Sequence, residues 1–430
     1  MVHARWKLSL ALGSVFTVAG GIAPGQDWPQ WRGPNRDAKA AAFKAPKTWP
    51  KELTRKWKVT VGLGDSTPAL VGDRLFVFTR QEGNEVLSAL DVASGKEIWQ
   101  DKYEAQGATG PASGHAGPRS SPTVVDGKVV TLGVRGTLSC TEAASGKKLW
   151  RKDDFAGAWP QFFTSSSPLV VDGLCIAQLG GRDNGAMVAY DLSSGDQKWK
   201  WSGGSPGYAS PVLMTAGGAK LVVAETEKKI VAVNAADGKP VWEAPYATEG
   251  MGYNASTPLV DGQTIYFSGS NRGVKAAKLE KEGEGFVAKD LWTNQENSVA
   301  FNTPVLKDGL IYGLNGRNQF FCVKAQDGKT AWTGPSGQPE EDKKGGGGGK
   351  RGRGGRGGGR GGYGSIVDAG SVLMALTPSS ELVVFQPSEK EHTELAKIKV
   401  ADTPTYAHLV VSGNRLLVKD QDSLALFTIE

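Results

Sequence analysis

Cysteine and histidine, the residue types best suited to metal binding and catalysis, are few and widely separated in this 430-residue chain. They are Cys140, Cys175, Cys322, His3, His115, His392 and His408. No CxxC, HxxxH or HExxH spacing occurs, and such spacings are what place Cys and His ligands around zinc. We therefore predict no metal site and no catalytic residue. We interpret Cys140 and Cys322 as small apolar residues of repeated strands.

Arginines and aromatic residues form a second set with chemical potential, in segments with the composition of loops between strands. The set comprises Arg119, Arg135, Arg182, Arg272, Arg317, Tyr208, Tyr253 and Phe301. Binding sites usually lie on variable loops of a rigid scaffold, so these side chains favour a planar anionic ligand or an acidic peptide. The alternative is that the arginines are solvated turn residues. His115 lies in the same loops without an identifiable carboxylate or nucleophile partner, so the sequence assigns it no role.

Positive charge is concentrated in residues 343–364, which contain 14 Gly, Tyr363 and seven Lys or Arg. The chain has a formal net charge of +6, and leaving out those seven charges together with Arg5 and Lys7 gives −3. The segment resembles Arg-Gly-Gly tracts, whose arginines contact phosphates and stack on bases, which indicates a polyanion partner such as nucleic acid or an anionic glycan. A solvated disordered loop is the alternative.

The first 25 residues have the pattern of a signal peptide. Arg5 and Lys7 precede a 12-residue apolar stretch, residues 8–19, and small residues follow it. Twelve residues are too few for a membrane span, which takes about 20. We therefore expect an exported, periplasmic or extracellular monomer without a transmembrane span in its mature form. No cysteine precedes Cys140, so we expect no lipid anchor through Cys.

The elements that position these residues form an internal repeat of the sequence. Residues 86–99, VLSALDVASGKEIW, recur with variations at 137–150, 186–199, 229–242 and 319–332. Most copies follow a Ser-Pro or Thr-Pro pair and then an Asp-Gly pair, which is typical of a two-residue hairpin turn. Four antiparallel strands per repeat form one propeller blade. Blades must stack in a ring, because one blade cannot bury its faces alone.

A column of tryptophans gives the number of blades. We interpret the members as structural residues that dock each blade on the next, namely Trp57, Trp99, Trp150, Trp199, Trp242, Trp292 and Trp332. The next equivalent position is Ile398, 66 residues after Trp332, and without the 22-residue basic tract that interval is a normal 44. Since only three strands follow Ile398, we predict an all-β, eight-bladed propeller of four-stranded antiparallel blades. The N-terminal strand, residues 56–61, closes the last blade.

These features divide the chain into four predicted parts. Residues 1–25 are the signal peptide, 26–55 an N-terminal arm and 56–430 the propeller, with 343–364 as a Gly/Arg-rich disordered insertion within it.

The repeats resemble the pyrroloquinoline-quinone-like (PQQ-like) β-propeller family. Leu87-Ser88-Ala89-Leu90-Asp91, Gly95-Lys96 and Trp99 carry the resemblance, which covers residues 57–430 except the insertion. The family implies two kinds of function: quinone-dependent alcohol and sugar dehydrogenases, and non-catalytic propellers that include the outer-membrane assembly lipoproteins of the BamB type. Residues 28–34, WPQWRGP, also resemble the opening of exported bacterial propellers of unassigned function.

Two departures from the dehydrogenases guide our functional expectation. Those enzymes carry an adjacent Cys-Cys disulfide and a calcium site beside the quinone, whereas no two cysteines here are neighbours and no Glu, Asn and Asp set matches the calcium motif. We therefore expect no cofactor, and a non-catalytic propeller of the cell envelope that binds a protein partner or ligand through its loop-rich face. The alternatives are an alcohol or sugar dehydrogenase with PQQ and calcium, and polyanion binding through residues 343–364.

Overall fold

The strands form eight four-stranded antiparallel sheets, which confirms the predicted all-β, eight-bladed propeller. The computed structural model describes residues 26–247, 253–283, 285–336 and 363–429. The predicted signal peptide and residues 343–362 of the predicted insertion lie outside this part of the chain. Within it, helix is confined to a 3-10 turn at Gly110–His115, which has a proline in its first turn.

The first strand, β1 (Thr54–Thr60), is followed by blades 1 to 4, each with four strands that we label A to D in chain order. Blade 1 contains β2 Ala69–Val71, β3 Arg74–Gln81, β4 Asn84–Asp91 and β5 Glu97–Glu104. Blade 2 contains β6 Thr123–Val125, β7 Lys128–Leu132, β8 Leu138–Glu142 and β9 Lys148–Lys152. Blade 3 contains β10 Leu169–Val171, β11 Leu174–Leu179, β12 Ala186–Asp191 and β13 Gln197–Trp201. Blade 4 contains β14 Val212–Ala216, β15 Ala219–Glu225, β16 Lys229–Asn234 and β17 Pro240–Pro245.

Blades 5 to 7 repeat this order and blade 8 departs from it. Blade 5 contains β18 Leu259–Asp261, β19 Thr264–Ser268, β20 Val274–Glu282 and β21 Gly285–Asn294. Blade 6 contains β22 Val305–Lys307, β23 Leu310–Leu314, β24 Gln319–Lys324 and β25 Thr330–Ser336. Blade 7 contains β26 Ser365–Asp368, β27 Leu373–Leu376, β28 Glu381–Gln386 and β29 Thr393–Lys399. Blade 8 contains β30 Val410–Ser412, β31 Arg415–Lys419 and β32 Ser423–Thr428, with β1 as its fourth strand.

The ring is closed by the N-terminal strand, as predicted. β1 pairs antiparallel with β32, with Lys58 opposite Ala425. The strand begins two residues earlier than predicted, because an irregularity between Arg55 and Trp57 lets pairing continue to Thr54. First and last segments of the chain thus share one sheet, which leaves no open edge at the join.

The two ends of the blades differ in their connections. The A–B turns of blades 2, 3 and 6 are tight Asp-Gly hairpins; in blade 2, Asp126 and Gly127 both have positive φ (47° and 70°), as a two-residue turn of this kind requires. A–B and C–D turns share one end of every blade, which we call the plain face. The longer D–A connections and the B–C turns share the other end, which we call the loop face.

Adjacent blades pack through apolar layers. Between blades 2 and 3, for example, Cys140 packs in one buried cluster with Val188 and Tyr190. The A strands of neighbouring blades also contact each other, as β2 does with β6 and β6 with β10. The A strands therefore surround the centre of the ring and line what we call the channel.

Candidate functional site

At the outer rim, the column tryptophans join each blade to the next through one repeated contact. The indole N–H groups donate to backbone carbonyls of the following blade at 2.8–3.2 Å, in the pairs Trp57–Val92, Trp99–Ala143, Trp150–Leu192, Trp199–Ala235, Trp292–Ala325 and Trp332–Ser388. Trp242 packs against the cluster between blades 4 and 5. Several rings lie on the glycine of the next C–D turn: a Cβ added to Gly146 would be 2.6 Å from Trp99.

Nearer the centre, the Ser-Pro and Thr-Pro pairs connect the blades through a chain of hydrogen bonds that we call the hydroxyl belt. The hydroxyl of one blade accepts the backbone N–H at the equivalent position of the preceding blade, at 2.9–3.2 Å. The acceptors are Thr67, Ser121, Ser167, Ser210, Thr257 and Thr303, and the series starts from the N–H of His408 in blade 8. The repeated Ser or Thr is therefore explained by an inter-blade bond, since a buried N–H needs an acceptor.

The N-terminal arm lies in the channel and contacts every blade. Its residues 28–40 reach one partner or more in each of blades 1 to 8, in order Leu70, Val124, Pro168, Pro211, Thr257, Thr303, Asp368 and His408. The arm pairs with the ring only through isolated bridges, at Trp28–Leu70 and Lys39–Asp368. It is thus a central insert and a member of no blade.

The arm enters from the plain face and turns back near the loop face. Asp27 accepts the N–H of Gly72 in the A–B turn of blade 1 (2.9 Å), and Ala40 donates to Asp368 beside the A–B turn of blade 7 (2.8 Å). The side chains of Arg32 and Arg36 instead reach the residues that precede the A strands, at the loop-face end. Both arginines have positive φ (61° and 58°), consistent with a tight reversal of the chain.

Two buried guanidinium groups hold the tip of the arm. Arg32, with none of its surface exposed, donates to the carbonyls of Thr303 (2.8 Å) and Pro304 (2.6 Å) in blade 6. Arg36 donates to Pro211 (2.6 Å) in blade 4 and to Pro168 in blade 3. Burial lowers the pKa of Arg32 to about 10 and that of Arg36 to about 9, so both remain charged at neutral pH. Carbonyl oxygens supply the hydrogen bonds that a buried guanidinium requires.

Above the arm, aromatic side chains from blades 2 to 8 meet around the centre of the loop face. We call this group the mouth ring: His115, Phe162, Tyr208, Tyr253, Phe301, Tyr363 and Tyr406. Ring centroids are 4.9 Å apart for Phe162–Tyr253, 6.0 Å for Tyr253–Phe301, 4.6 Å for Phe301–Tyr363, 5.4 Å for Tyr363–Tyr406 and 4.7 Å for Tyr406–His115. All seven side chains are half-buried, so part of each ring faces solvent.

Polar side chains complete the mouth ring between blades 1, 2 and 3. Arg119 donates to the carbonyls of His115 (2.9 Å) and Phe162, bridging the gap between these two members of the mouth ring. Blade 1 supplies Asp65, whose Oδ2 lies 2.6 Å from Nδ1 of His115. His115, which the sequence left without a partner, therefore has a carboxylate. Buried Lys419 donates to the carbonyl of Gly64, and desolvation lowers its pKa to about 8.

The structure brings some of the predicted ligand-binding residues together and places others apart. Tyr208, Tyr253 and Phe301 belong to the mouth ring, and Arg119 bridges it. Arg135 donates to the carbonyls of Gln106 and Gly107 and stacks over Trp159 (4.4 Å). Arg272 donates to the carbonyl of Tyr246 and to Asn254, Arg182 pairs with Glu227 at 3.4 Å, and Arg317 is exposed. Arg135 and Arg272 thus tie B–C turns to neighbouring loops.

A family model described as outer membrane protein assembly factor BamB matches residues 82–334, more than half of the chain. The chain belongs to the BamB family. This assignment agrees with the resemblance to PQQ-like propellers that the repeats carry.

Individual relatives include both members of the BamB family and enzymes. A quinohemoprotein alcohol dehydrogenase of Comamonas testosteroni is 26% identical over 140 residues, 32% of this chain and 19% of the enzyme. BamB of Burkholderia pseudomallei is 26% identical over 200 residues, 45% of this chain and 46% of that protein. The chain thus spans less than half the length of these relatives. The crystal structure of BamB from Moraxella catarrhalis has a TM-score of 0.63 at 14% identity, over 88% of this chain and 100% of that one.

The cysteines and acidic side chains bear on the disulfide and calcium site that the dehydrogenases of the PQQ-like family carry. The three cysteines are buried and free, and burial raises the pKa of Cys140 and Cys322 to about 12. Over the described ranges, no three His, Cys, Asp or Glu side chains lie close enough together to hold a metal ion. The arm also occupies the channel.

No helix in the residues that the structure describes is long and apolar enough to cross a membrane.

The sequence predicted an N-terminal arm over residues 26–55 but not its place in the channel, and it did not identify Asp65, Tyr363 or Tyr406 as residues of the site. Arg32 and Arg36 carry no repeat signal, because the arm occurs once. Asp65, Tyr363 and Tyr406 each precede an A strand by four residues or fewer, so aligning the residues ahead of each repeat would have placed them together.

Proposed function

We propose that this chain is an exported, non-catalytic propeller of the cell envelope that binds a polypeptide partner at the mouth ring. The observation that carries the proposal is the mouth ring itself: seven half-exposed aromatic side chains from seven blades, on the face with variable loops. Aromatic residues are enriched in binding sites because they offer large, rigid contact area at low entropic cost. Relatives named outer membrane protein assembly factors support a protein partner and an envelope location.

Site-specific photo-crosslinking tests this function. A photoreactive amino acid replaces Tyr253 in the mouth ring or, as a matched control, exposed Lys96 in a C–D turn of the plain face. The chain is produced with its own leader, and adducts are resolved by mass. We expect a discrete polypeptide adduct from position 253 that is lost when Phe301→Ala and Tyr363→Ala are added. Equal adducts from both positions, or none from either, would contradict the proposal.

A quinone-dependent oxidoreductase is the second candidate, favoured by the sequence match to quinohemoprotein alcohol dehydrogenases. Titration of the purified chain with PQQ and calcium, followed by absorbance and by dye-linked oxidation of alcohols and sugars, distinguishes it. Our proposal expects no saturable spectral change. Stoichiometric quinone binding with turnover would establish the enzyme instead.

A further inference from the structure

The contacts between the N-terminal arm and the ring are of the kind that hold a bound peptide ligand. The arm adds no strand to any blade, and its polar contacts with blades 3, 4 and 6 are side-chain donors on backbone carbonyls of the ring. Trp31 also reaches the ring through its side chain. Its indole N–H lies 3.4 Å from the hydroxyl of Thr257, and its ring centroid lies 4.1 Å from that of His408. These contacts resemble a protein–peptide interface within a single chain.

The hydrogen bonds that join the blades and close the ring are made between ring residues. The hydroxyl belt uses the backbone N–H groups at the Ser-Pro and Thr-Pro positions, and the pairing of β1 with β32 closes the last blade. The carbonyls at Ser167, Pro168, Pro211, Thr303 and Pro304 then remain directed at the channel, where only donors can satisfy them. Arginine suits such a site, because its planar guanidinium presents five donors in a fixed fork.

The connection between the arm and β1 is accessible. Lys44 and Lys47 are exposed, ahead of β1 at Thr54. The arm can therefore be separated from the ring by one cut in the folded protein.

We propose that the channel is a binding site for an arginine-bearing peptide, and that residues 28–38 occupy it as a tethered ligand. The recognised chemistry is two guanidinium groups, placed by Arg32 and Arg36 on carbonyls of three blades, with the Trp31 ring in tilted contact with His408. A second peptide of the same chemistry competes with the arm for the channel.

The test cuts the folded chain and then exchanges the arm. A specific protease site is placed between Lys44 and Lys47, and the purified full chain is cleaved after folding. Native gel filtration and mass spectrometry report whether the fragment stays, and circular dichroism reports the state of the ring. A fluorescent synthetic peptide of residues 26–44 is then titrated, and its exchange is followed by anisotropy.

We expect the cut fragment to remain bound and to exchange one-for-one with the peptide while the ring keeps its β-sheet spectrum. A peptide with Arg32→Met and Arg36→Met should bind about 5,000-fold more weakly, because the charged donors are lost from buried carbonyls of three blades. The matched control carries Lys39→Met, which removes one charge at an exposed position. It should bind within about threefold of the parent peptide.

Three outcomes would overturn the inference. The fragment could leave at once after cleavage, which would mean that the channel holds no site. It could exchange only when the ring unfolds, which would make the arm an inseparable part of the fold. Finally, Lys39→Met could weaken peptide binding as much as the two arginine substitutions, which would mean that the channel recognises only the net charge of the peptide.

Discussion

The rim and the channel of this propeller join the same eight blades in opposite ways. At the rim, one device is repeated: a tryptophan lies on the glycine of the next C–D turn and donates to a carbonyl there, as Trp150 does on Gly195 and Leu192. In the channel, one segment meets eight blades through different contacts, with Arg32 on blade 6 and Arg36 on blades 3 and 4. Repetition fixes the fold, whereas the centre is held by a segment that occurs once in the chain.

The largest effect on stability is expected in the channel. Arg32→Met with Arg36→Met removes the donors from buried carbonyls of three blades, and leaving such groups unpaired is costly. We expect the free energy of unfolding to fall by about 5 kcal/mol, the upper range for breaking buried charged contacts. Urea unfolding followed by circular dichroism measures it.

Lys39→Met is the control for this channel variant, because it removes an arm charge at an exposed position. It should change the free energy of unfolding by less than about 0.5 kcal/mol. A double arginine variant as stable as this control would show that the arm is held mainly by its apolar residues.

At the rim, Trp150→Ala should cost about 3–4 kcal/mol. The side chain is 7% exposed and packs between blades 2 and 3, so its removal leaves a cavity as well as an unpaired carbonyl at Leu192. Trp150→Phe keeps most of the packing and loses the N–H donor, and should cost about 1 kcal/mol. Equal losses for the two variants, measured by urea unfolding, would assign the rim contact to the hydrogen bond instead of to packing.

Gly146→Ala separates backbone strain from the contact with tryptophan. Gly146 has φ of 77°, and an added Cβ would lie 2.6 Å from Trp99. Gly127 in the same blade has φ of 70° with nothing within 4 Å of an added Cβ. Gly127→Ala should therefore cost about 1 kcal/mol from strain alone, and Gly146→Ala about 1–2 kcal/mol more. Matching melting curves for the two variants would mean that the indole moves aside freely.

The contrast between the repeated rim and the unrepeated channel also explains what the sequence could predict. Blade count, ring closure and the tight Asp-Gly turns follow from patterns present in several copies, because each copy must solve the same packing problem. The tryptophan column could be recognised for the same reason. The pairing irregularity ahead of Trp57 in β1 recurs at the equivalent place in the last strand of every other blade, but the predicted bounds of β1 missed it.

The candidate site could be predicted only where it repeats. Tyr208, Tyr253 and Phe301 stand just ahead of A strands and were identified from the sequence, whereas the partnership of Asp65 with His115 depends on two loops 50 residues apart. Nothing in residues 28–38 indicates a channel insert, since a segment that occurs once gives no periodic signal. Long-range contacts of this kind are specified by three-dimensional complementarity instead of local pattern.

The smallest effect on stability is expected between rim and channel, where two buried carboxyl groups lie in the apolar layers between blades. Glu85, between blades 1 and 2, accepts the hydroxyl of Tyr103 and the N–H of Val134 (2.7 Å). Glu225, between blades 4 and 5, has no hydrogen-bond partner among the residues that the structure describes. Burial raises the pKa of both carboxyls.

Glu225→Gln should therefore be neutral or stabilising by up to about 1 kcal/mol at pH 7, whereas Glu85→Gln should cost about 1–2 kcal/mol. For Glu225 the folded pKa lies above the unfolded value of about 4.3, so the folded state binds the extra proton and wild-type stability falls as pH rises from there. The advantage of Glu225→Gln should grow from pH 4.5 upward, because the wild-type protein alone loses stability there. Urea unfolding from pH 4.5 to 8 measures this slope. A flat difference would mean that Glu225 ionises in the folded protein as it does in the unfolded chain, held by the nearby charge of Arg272.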